Sequence, residues 1–307
     1  QLKLTTIELP DNLGNNPNRG SPGEYAQSTL SIPTALNDQY YSASAPWTNA
    51  IGSVSYLWSY QNLDVFSQYA NLKLPEQEII VAVVDTGVDK DHEDLSGRLY
   101  VNHDEYDGGK WNNFVDDDRN GFVDDYLGWD FVNNSNNPAD DNGHGTHLAG
   151  TIAAIGNNGV GIVGVAPWIR ILPVKVCDSD GSCSTSDIRA GIKYAVSKGA
   201  KIINLSLGGY DDSPETVLFD QTIKEATNAG ALVIVSAGNY ETDTENITPA
   251  NSPHAVAVAA YRNDGAICSF SDFGYKVDLA APGCAVQDGV EVSGILSLNS
   301  KKCGTTG

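Results

Sequence analysis

The sequence contains no methionine, few basic side chains and no long apolar stretch, and each shortage narrows what the protein can be. No apolar run approaches the roughly 18 residues that cross a bilayer, which argues against a membrane-spanning helix. Lys and Arg number 18 against 39 Asp and Glu, giving a formal net charge of −21. Such a chain repels phosphate backbones, so nucleic acid is not an expected partner. Charged residues are still 19% and hydrophobic ones 41% of the 307 residues, the balance of a globular chain rather than a disordered one. That length can bury a large core, in one large domain or two small ones. Gln1 is not an initiator Met, and no charged-then-apolar leader follows it. The expectation is either that an upstream signal or pro-segment has been removed or that the sequence is part of a longer chain.

Five cysteines make an odd count. Cys177 and Cys183 bracket a short polar loop, Cys284 and Cys303 lie in another loop-rich stretch, and Cys268 has a strand-like apolar setting. The expected bridges are 177–183 and 284–303, with Cys268 a buried free thiol; reduced core cysteines are the alternative, since spacing does not fix connectivity. Bridges imply an oxidising compartment and a secreted or otherwise extracytoplasmic protein. No His stands near these cysteines, which argues against zinc.

Residues 1–36 are rich in Asn, Pro, Gly and Ser and read as an extended arm or the remnant of a pro-segment. A helix is expected over Val65 to Leu72. Five β-branched or apolar runs follow: Ile79 to Val84, Ile171 to Val176, Lys201 to Leu205, Ala231 to Val235, and Ala255 to Ala260. Uninterrupted runs of this length suit strands buried on both faces. Helical patterns alternate with them at His144 to Ile155, Ser186 to Ser197 and Val217 to Ala229, the second capped by Ser186-Asp187 and ended by Lys198-Gly199. The alternation predicts an α/β fold, a mostly parallel sheet with helices on both faces. Residues 101–141 break the rhythm with eleven acids against two bases, −9 of the net charge, and read as an inserted loop region.

Functional groups in open parallel sheets collect at the carboxyl ends of strands. Asp85 stands at such an end, before Thr86-Gly87, where it could bind metal, orient a His or cap the next segment. His144 and His147 lie among small residues at a helix start, a setting for close substrate approach, for metal, or for a structural pair. Asn239 follows another apolar run; its amide could donate to an oxyanion or cap a turn.

Together, Val83-Val84-Asp85-Thr86-Gly87, Gly143-His144-Gly145-Thr146-His147-Leu148-Ala149-Gly150 and Ser236-Ala237-Gly238-Asn239 resemble the subtilisin-like serine proteases. Ser206-Leu207-Gly208-Gly209, Thr248-Pro249-Ala250, Ser269-Phe270-Ser271 and Ala280-Ala281-Pro282-Gly283 have counterparts there too. The resemblance runs from about Asn37 to the end and implies a three-layer sandwich and an endopeptidase acting on peptide or protein substrates. It implies Asp85 as orienter of the imidazole, His144 as general base and then acid, and Asn239 as oxyanion donor, with His147 structural. Ser206, Leu207, Gly208 and Gly209 would pair with extended substrate, beside Ala237 and Gly238, and Ile247 would make the primary pocket shallow. The family's nucleophile follows Gly-Thr. Either Thr306 of Gly304-Thr305-Thr306 replaces it, giving a pseudoprotease or peptide-binding module, or Gly307 opens the motif. In the second case 37–307 is an incomplete catalytic domain, and the Ser is carried by further sequence or by a second polypeptide with the remaining helices.

Asp116-Asp117-Asp118-Arg119-Asn120-Gly121-Phe122-Val123-Asp124 contains the Asp-x-Asp-x-Asn-Gly start of a calcium loop. Asp116, Asp118, Asn120 and Asp124 would be side-chain ligands and Phe122 would give its carbonyl. Leu127 stands where a bidentate Glu belongs, and Asp125 could substitute.

Overall fold

The computed structural model describes residues 38, 58–65, 77–210, 216–287 and 289–301. The expected arm, all of the expected helix after Val65, and Cys303 and Thr306 lie outside them.

Ten strands are described: β1 (Ile80–Asp85), β2 (Trp129–Asp130), β3 (Arg170–Lys175), β4 (Ile202–Leu205), β5 (Gly209–Tyr210), β6 (Leu232–Ser236), β7 (Ile247–Thr248), β8 (Val256–Arg262), β9 (Leu279–Gln287) and β10 (Val290–Ser293). Eight form one sheet in the order β10-β9-β8-β6-β4-β1-β3-β2, and β5 pairs with β7 in a small second sheet. Every neighbour in the large sheet is parallel except β10, which is antiparallel to β9. The five expected strands are all present, each within two residues of its expected bounds. The β9–β10 hairpin was not expected, and Ala280-Ala281-Pro282-Gly283 lies within β9.

Side chains of β1 alternate between two cores. Val81 and Val83 join Ala149, Ala153 and Ile171 on one face; Ala82 and Val84 join Ile188, Ile192, Phe219 and Ile223 on the other. The first face is covered by His144–Ala153 and the second by Thr185–Ser197 and Thr216–Asn228. β1 and β3 are buried on both sides, which is why they read as unbroken apolar runs, while β4, β6 and β8 alternate buried with half-buried or exposed residues; the fold is a three-layer α/β sandwich.

Helix ends follow local chemistry. Thr185–Ser197 is capped by Ser184, whose hydroxyl accepts from Asp187 N at 3.1 Å. Ser186 therefore lies inside the first turn and is not the cap, since a cap bonds the N–H three residues on. At the other end Gly199 has φ +80°, with Gly199 N bonded to Val196 O and Ala200 N to Ala195 O, both 3.0 Å. This glycine-closed pair of bonds ends the helix where Lys198-Gly199 predicted. His144–Ala153 stops two residues short of Ile155, whose N–H leaves the helix for Asp94 O at 2.9 Å.

Cys177 and Cys183 are bridged as expected. The second bridge is Cys268–Cys284, which corrects both the 284–303 pairing and the free thiol at Cys268. After β8 the chain turns back, with Tyr261 bridged to Ile267 and Cys268 N bonded to Ala260 O at 2.9 Å. That places Cys268 beside β9, 6.1 Å in Cα separation from Cys284. Proximity across adjacent strands decided the pairing, and the loop-rich spacing of Cys284 and Cys303 did not report it.

Candidate active site

Asp85 is the last residue of β1 and is 1% exposed. Its Oδ1 accepts from Thr86 N and faces His144 Nδ1, each at 2.7 Å. The contact implies a tautomer with the proton on Nδ1, leaving Nε2 as a proton acceptor. Burial is the largest influence on His144 and acts to lower its pKa, but the Asp85 charge and hydrogen bond, with Asp140 adding, outweigh it and hold the group above its ordinary 6.5.

The pair is aimed by its backbone. Gly143 caps the helix with φ +102°, a left-handed conformation open to glycine. Gly145 meets Gly87 at backbone distance: a Cβ on Gly145 would lie 2.0 Å from Gly87 O. Asp140, fully buried, closes the arrangement. Its Oδ1 accepts from Thr86 Oγ1 at 2.9 Å and Gly143 N at 2.8 Å, and its Oδ2 from Thr146 N at 2.9 Å and Thr146 Oγ1 at 2.5 Å. A carboxylate at a helix N-terminus also complements the helix dipole. Thr86 Oγ1 in turn accepts from Gly145 N at 2.9 Å. Buried Lys175, at the end of β3, donates to Thr86 O, Cys177 O and Asp141 Oδ1 at 2.8, 2.8 and 2.6 Å, tying β1, the disulfide loop and the approach to His144 together. Asn142 links the same two loops, donating to Ser179 O at 2.9 Å.

His147 has burial as its largest influence, which lowers it, and its Nε2 lies 3.3 Å from Ile295 O. These are the surroundings of a packed histidine.

Asn239 follows β6 and is exposed; Ala237 is buried and Gly238 half-buried. Ser206 and Leu207 follow β4, which lies between β1 and β6, so all these segments leave the same carboxyl edge of the sheet. Gly209 pairs with Thr248, so one edge of this expected substrate strand is already occupied, and Ser206, Leu207 and Gly208 stay outside that ladder. Ile247 is fully buried; its Cγ2 would lie 3.2 Å from a Cβ on Gly238 and 3.8 Å from one on Gly208. It fills the space between the two glycine segments.

In the acidic insert, carboxyl oxygens of Glu105, Asp118 and Asp125 lie within 4.8 Å of one another. Of the expected ligand set only Asp118 belongs to this group. The carboxylate of Asp116 accepts from Asn120 N and Gly121 N, at 3.0 and 2.8 Å, and that of Asp124 from Asn113 N and Phe114 N, both 3.0 Å. Asn120 Nδ2 donates to Asp118 and Asp125 at 2.8 and 3.1 Å, and the Phe122 ring packs against Trp129, Phe131 and Tyr194. Lys198 Nζ lies 2.9 Å from Asp118 and 2.8 Å from Asp125, a cation from outside the insert that the sequence did not announce. Burial raises Glu105 and Asp125 above the usual carboxylate range. For Asp118 burial also pushes upward, but Lys198 and Asn102 hold the group below it. A second acidic pair, Asp38 and Asp94, is fully buried and shares Asn158: its N–H donates to Asp38 at 3.1 Å and its side-chain amide to Asp94 at 2.7 Å. Burial pushes Asp94 up to about 7. Asp94 ends the charged run Asp89-Lys90-Asp91-His92-Glu93-Asp94, while no charge run marks Asp38.

The chain is 37% identical over 225 residues to thermitase from Thermoactinomyces vulgaris, covering 73% of this chain and 70% of that protein. It is 34% identical over 267 residues to a cell wall-associated protease of Bacillus subtilis strain 168, covering 85% of this chain but only 26% of the relative. A crystal structure of a cold adapted subtilisin-like serine proteinase superposes with a TM-score of 0.54 at 29% identity over 74% of each chain. The model of the subtilase family matches residues 76–306, and the chain belongs to that family.

Proposed function

We propose that the protein is a secreted, calcium-stabilised serine endopeptidase that cleaves peptide bonds by acyl transfer. The single observation that carries the reading is the 2.7 Å contact between buried Asp85 and His144 Nδ1, which leaves Nε2 free to take a proton. In this mechanism Nε2 deprotonates a serine hydroxyl, the oxygen attacks the substrate carbonyl, and the proton passes to the leaving amine. Asp85 stabilises the imidazolium without taking the proton. The Asn239 amide donates to the oxyanion; such a donor is worth about 100- to 1000-fold in turnover, a magnitude taken from subtilisin rather than worked from this structure. Serine is assigned to sequence following Gly307 rather than to Thr306, because the family leaves a longer stretch after the Ile295-Leu296-Ser297 region than Thr306 would allow. Two disulfides and the relatives' character support an extracytoplasmic setting.

Calcium is assigned to the insert. The residues fit it by charge and by loop form: Glu105, Asp118 and Asp125 against Lys198 leave a net of −2. Asp116 accepts the N–H groups of Asn120 and Gly121, and Gly121 has φ +94°, the sharp turn such loops need. Glu105, Asp118 and Asp125 would hold the ion, which would order the segment leading to Asp140 and His144.

The test is a fluorophosphonate probe applied to the full-length protein, with the labelled peptide located by mass spectrometry. Labelling on a serine beyond Gly307, lost in His144→Ala, is the expected result. No labelling of folded protein overturns the reading in favour of a peptide-binding pseudoprotease.

A further inference from the structure

Asn239 carries the oxyanion role, yet it is exposed, and among the described residues no hydrogen bond fixes its side chain. Its flanking backbone, in contrast, is tied on both sides to one buried residue, Asp272. Asp272 N donates to Gly238 O at 3.0 Å. Asp272 Oδ1 accepts from Tyr240 N at 2.8 Å and Thr242 N at 2.9 Å. The carboxylate is fully buried, and hydrogen bonds to a charged acceptor are shorter and stronger than neutral ones.

Packing adds to the clamp. Gly238 has φ +116°, and a Cβ there would lie 2.0 Å from Asp272 Oδ2. That oxygen has no hydrogen-bond partner among the described residues, so it contributes contact with Gly238 at the expense of an unsatisfied buried acceptor. Asp272 is itself held. Ser271 Oγ donates to Asp272 O at 3.1 Å and accepts from Ala260 N of β8 at 2.9 Å. Phe273 N bonds to Thr242 O at 3.0 Å, closing the far side of the loop. The turn 238–242 therefore wraps one side chain anchored to the sheet, and Asn239 sits within that wrap.

We infer that Asp272 is a positioning residue for the oxyanion donor: by gripping Gly238, Tyr240 and Thr242 it fixes the backbone from which the Asn239 amide is aimed. The inference rests on the proposed role of Asn239. An oxyanion donor acts only when held about 2.7–3.1 Å from the developing charge, and a displacement of about 1 Å costs roughly 100-fold. Loss of the grip should therefore appear in turnover rather than in binding, and only while Asn239 is present to be misaimed.

The experiment is a double-mutant cycle in the full-length enzyme, with kcat and KM measured for Asp272→Ala and Asp272→Asn in the wild-type and Asn239→Ala backgrounds. Asp272→Ala should lower kcat about 10- to 100-fold with KM within about threefold. Asp272→Asn, which keeps an acceptor for both N–H groups, should recover most of that loss. In the Asn239→Ala background Asp272→Ala should cost less than about threefold, because the group it aims is gone. An equal loss in both backgrounds, a loss confined to KM, or an asparagine variant as poor as alanine would each overturn the inference while leaving the oxyanion role standing. A kcat unaffected by Asn239→Ala alone overturns that role and the inference with it. Should the alanine variant fail to fold, Asp272→Ser takes its place, since its short hydroxyl cannot reach both N–H groups.

Discussion

Gly145→Ala tests whether the Asp85–His144 pair is set by backbone contact. A Cβ at Gly145 would lie 2.0 Å from Gly87 O and 3.1 Å from its carbonyl carbon, while ordinary contacts of a Cβ begin at 3.4 Å. The start of His144–Ala153 and the end of β1 must then part by about 1.4 Å in a densely packed interior. Gly87 cannot retreat, because it is backed by Pro138 and Ala139, within 2.9 Å of where its own Cβ would be. The separation falls on the junction that the 2.7 Å Asp85–His144 contact spans. A hydrogen bond stretched to about 4 Å is lost. Overpacking of this kind costs about 1–3 kcal/mol in stability, and misplacement by about 1 Å costs roughly 100-fold in turnover. The assay combines steady-state kinetics on a chromogenic peptide, thermal melting, and an NMR titration of the His144 ring. Turnover should fall about 100-fold, and the His144 pKa should drop, since burial continues to lower it while the support from Asp85 weakens. Turnover within threefold of wild type together with an unchanged His144 pKa would refute the reasoning.

Five further outcomes are expected. In the proposed mechanism His144 must be neutral to act as base, and Asp85 holds its pKa above 6.5, so kcat/KM should fall as pH drops through that raised value, and Asp85→Asn should move the fall to lower pH. The same pair contributes stability fully below pH 6.5 and loses it as pH rises through the raised value, so His144→Gln should flatten that part of the stability profile measured by melting from pH 6 to 9. Lys198→Met leaves Asp118 and Asp125 without their ammonium partner, 2.9 and 2.8 Å away, and should cost about 3–5 kcal/mol, part of it recovered by calcium in a melting titration. Melting temperatures of wild type and variant that both ignore calcium and chelator would remove calcium from the insert. Removing the bridge between Cys177 and Cys183, six residues apart, should cost about 2 kcal/mol by chain entropy, read from urea unfolding of the double alanine variant. A peptide library should favour Ala over Phe next to the scissile bond, because Ile247 fills the space between Gly208 and Gly238; equal turnover of the two would count against it.

What the sequence made legible was what period and order encode. Strands buried on both faces need unbroken apolar runs, so five strands of the parallel sheet and the three principal helices could be read directly. Asp85 ends a buried strand, Asn239 follows another strand within three residues and His144 starts a helix, places where a polar residue is conspicuous. The features missed are those in which one side chain serves a distant backbone. Asp140 looked like one more acid in an acidic tract, yet it collects Thr86, Gly143 and Thr146 around His144. Lys175 lies inside an apolar strand pattern and gave no sign of its three hydrogen bonds, two of them buried. The calcium-loop spacing found Asp118 and left Asp125 as a substitute, but Glu105 comes from a helical turn before the motif, and Lys198 from beyond the end of Thr185–Ser197.

The acidity of this chain therefore serves two different purposes, separable by what neutralises it. Around the catalytic edge, Asp85, Asp140 and Asp272 are at most 1% exposed and satisfied mainly by backbone N–H groups, hydroxyls and the imidazole. Their charges hold loops to one another, and no mobile ion is needed for that. In the insert, Asp118 and Asp125 share Lys198, Asn102 and Asn120, and Glu105 accepts from Asp118 N and Asp124 N, so the repulsion among the three carboxylates is what the proposed calcium would relieve. Chelation should consequently separate the two groups. It should loosen the insert and lower the melting temperature while the Asp85–His144 contact, and with it the raised His144 pKa, persists in the protein that remains folded. A His144 pKa that falls on chelation before unfolding would show that the proposed cation, rather than Asp140 and Thr86, sets the geometry of His144.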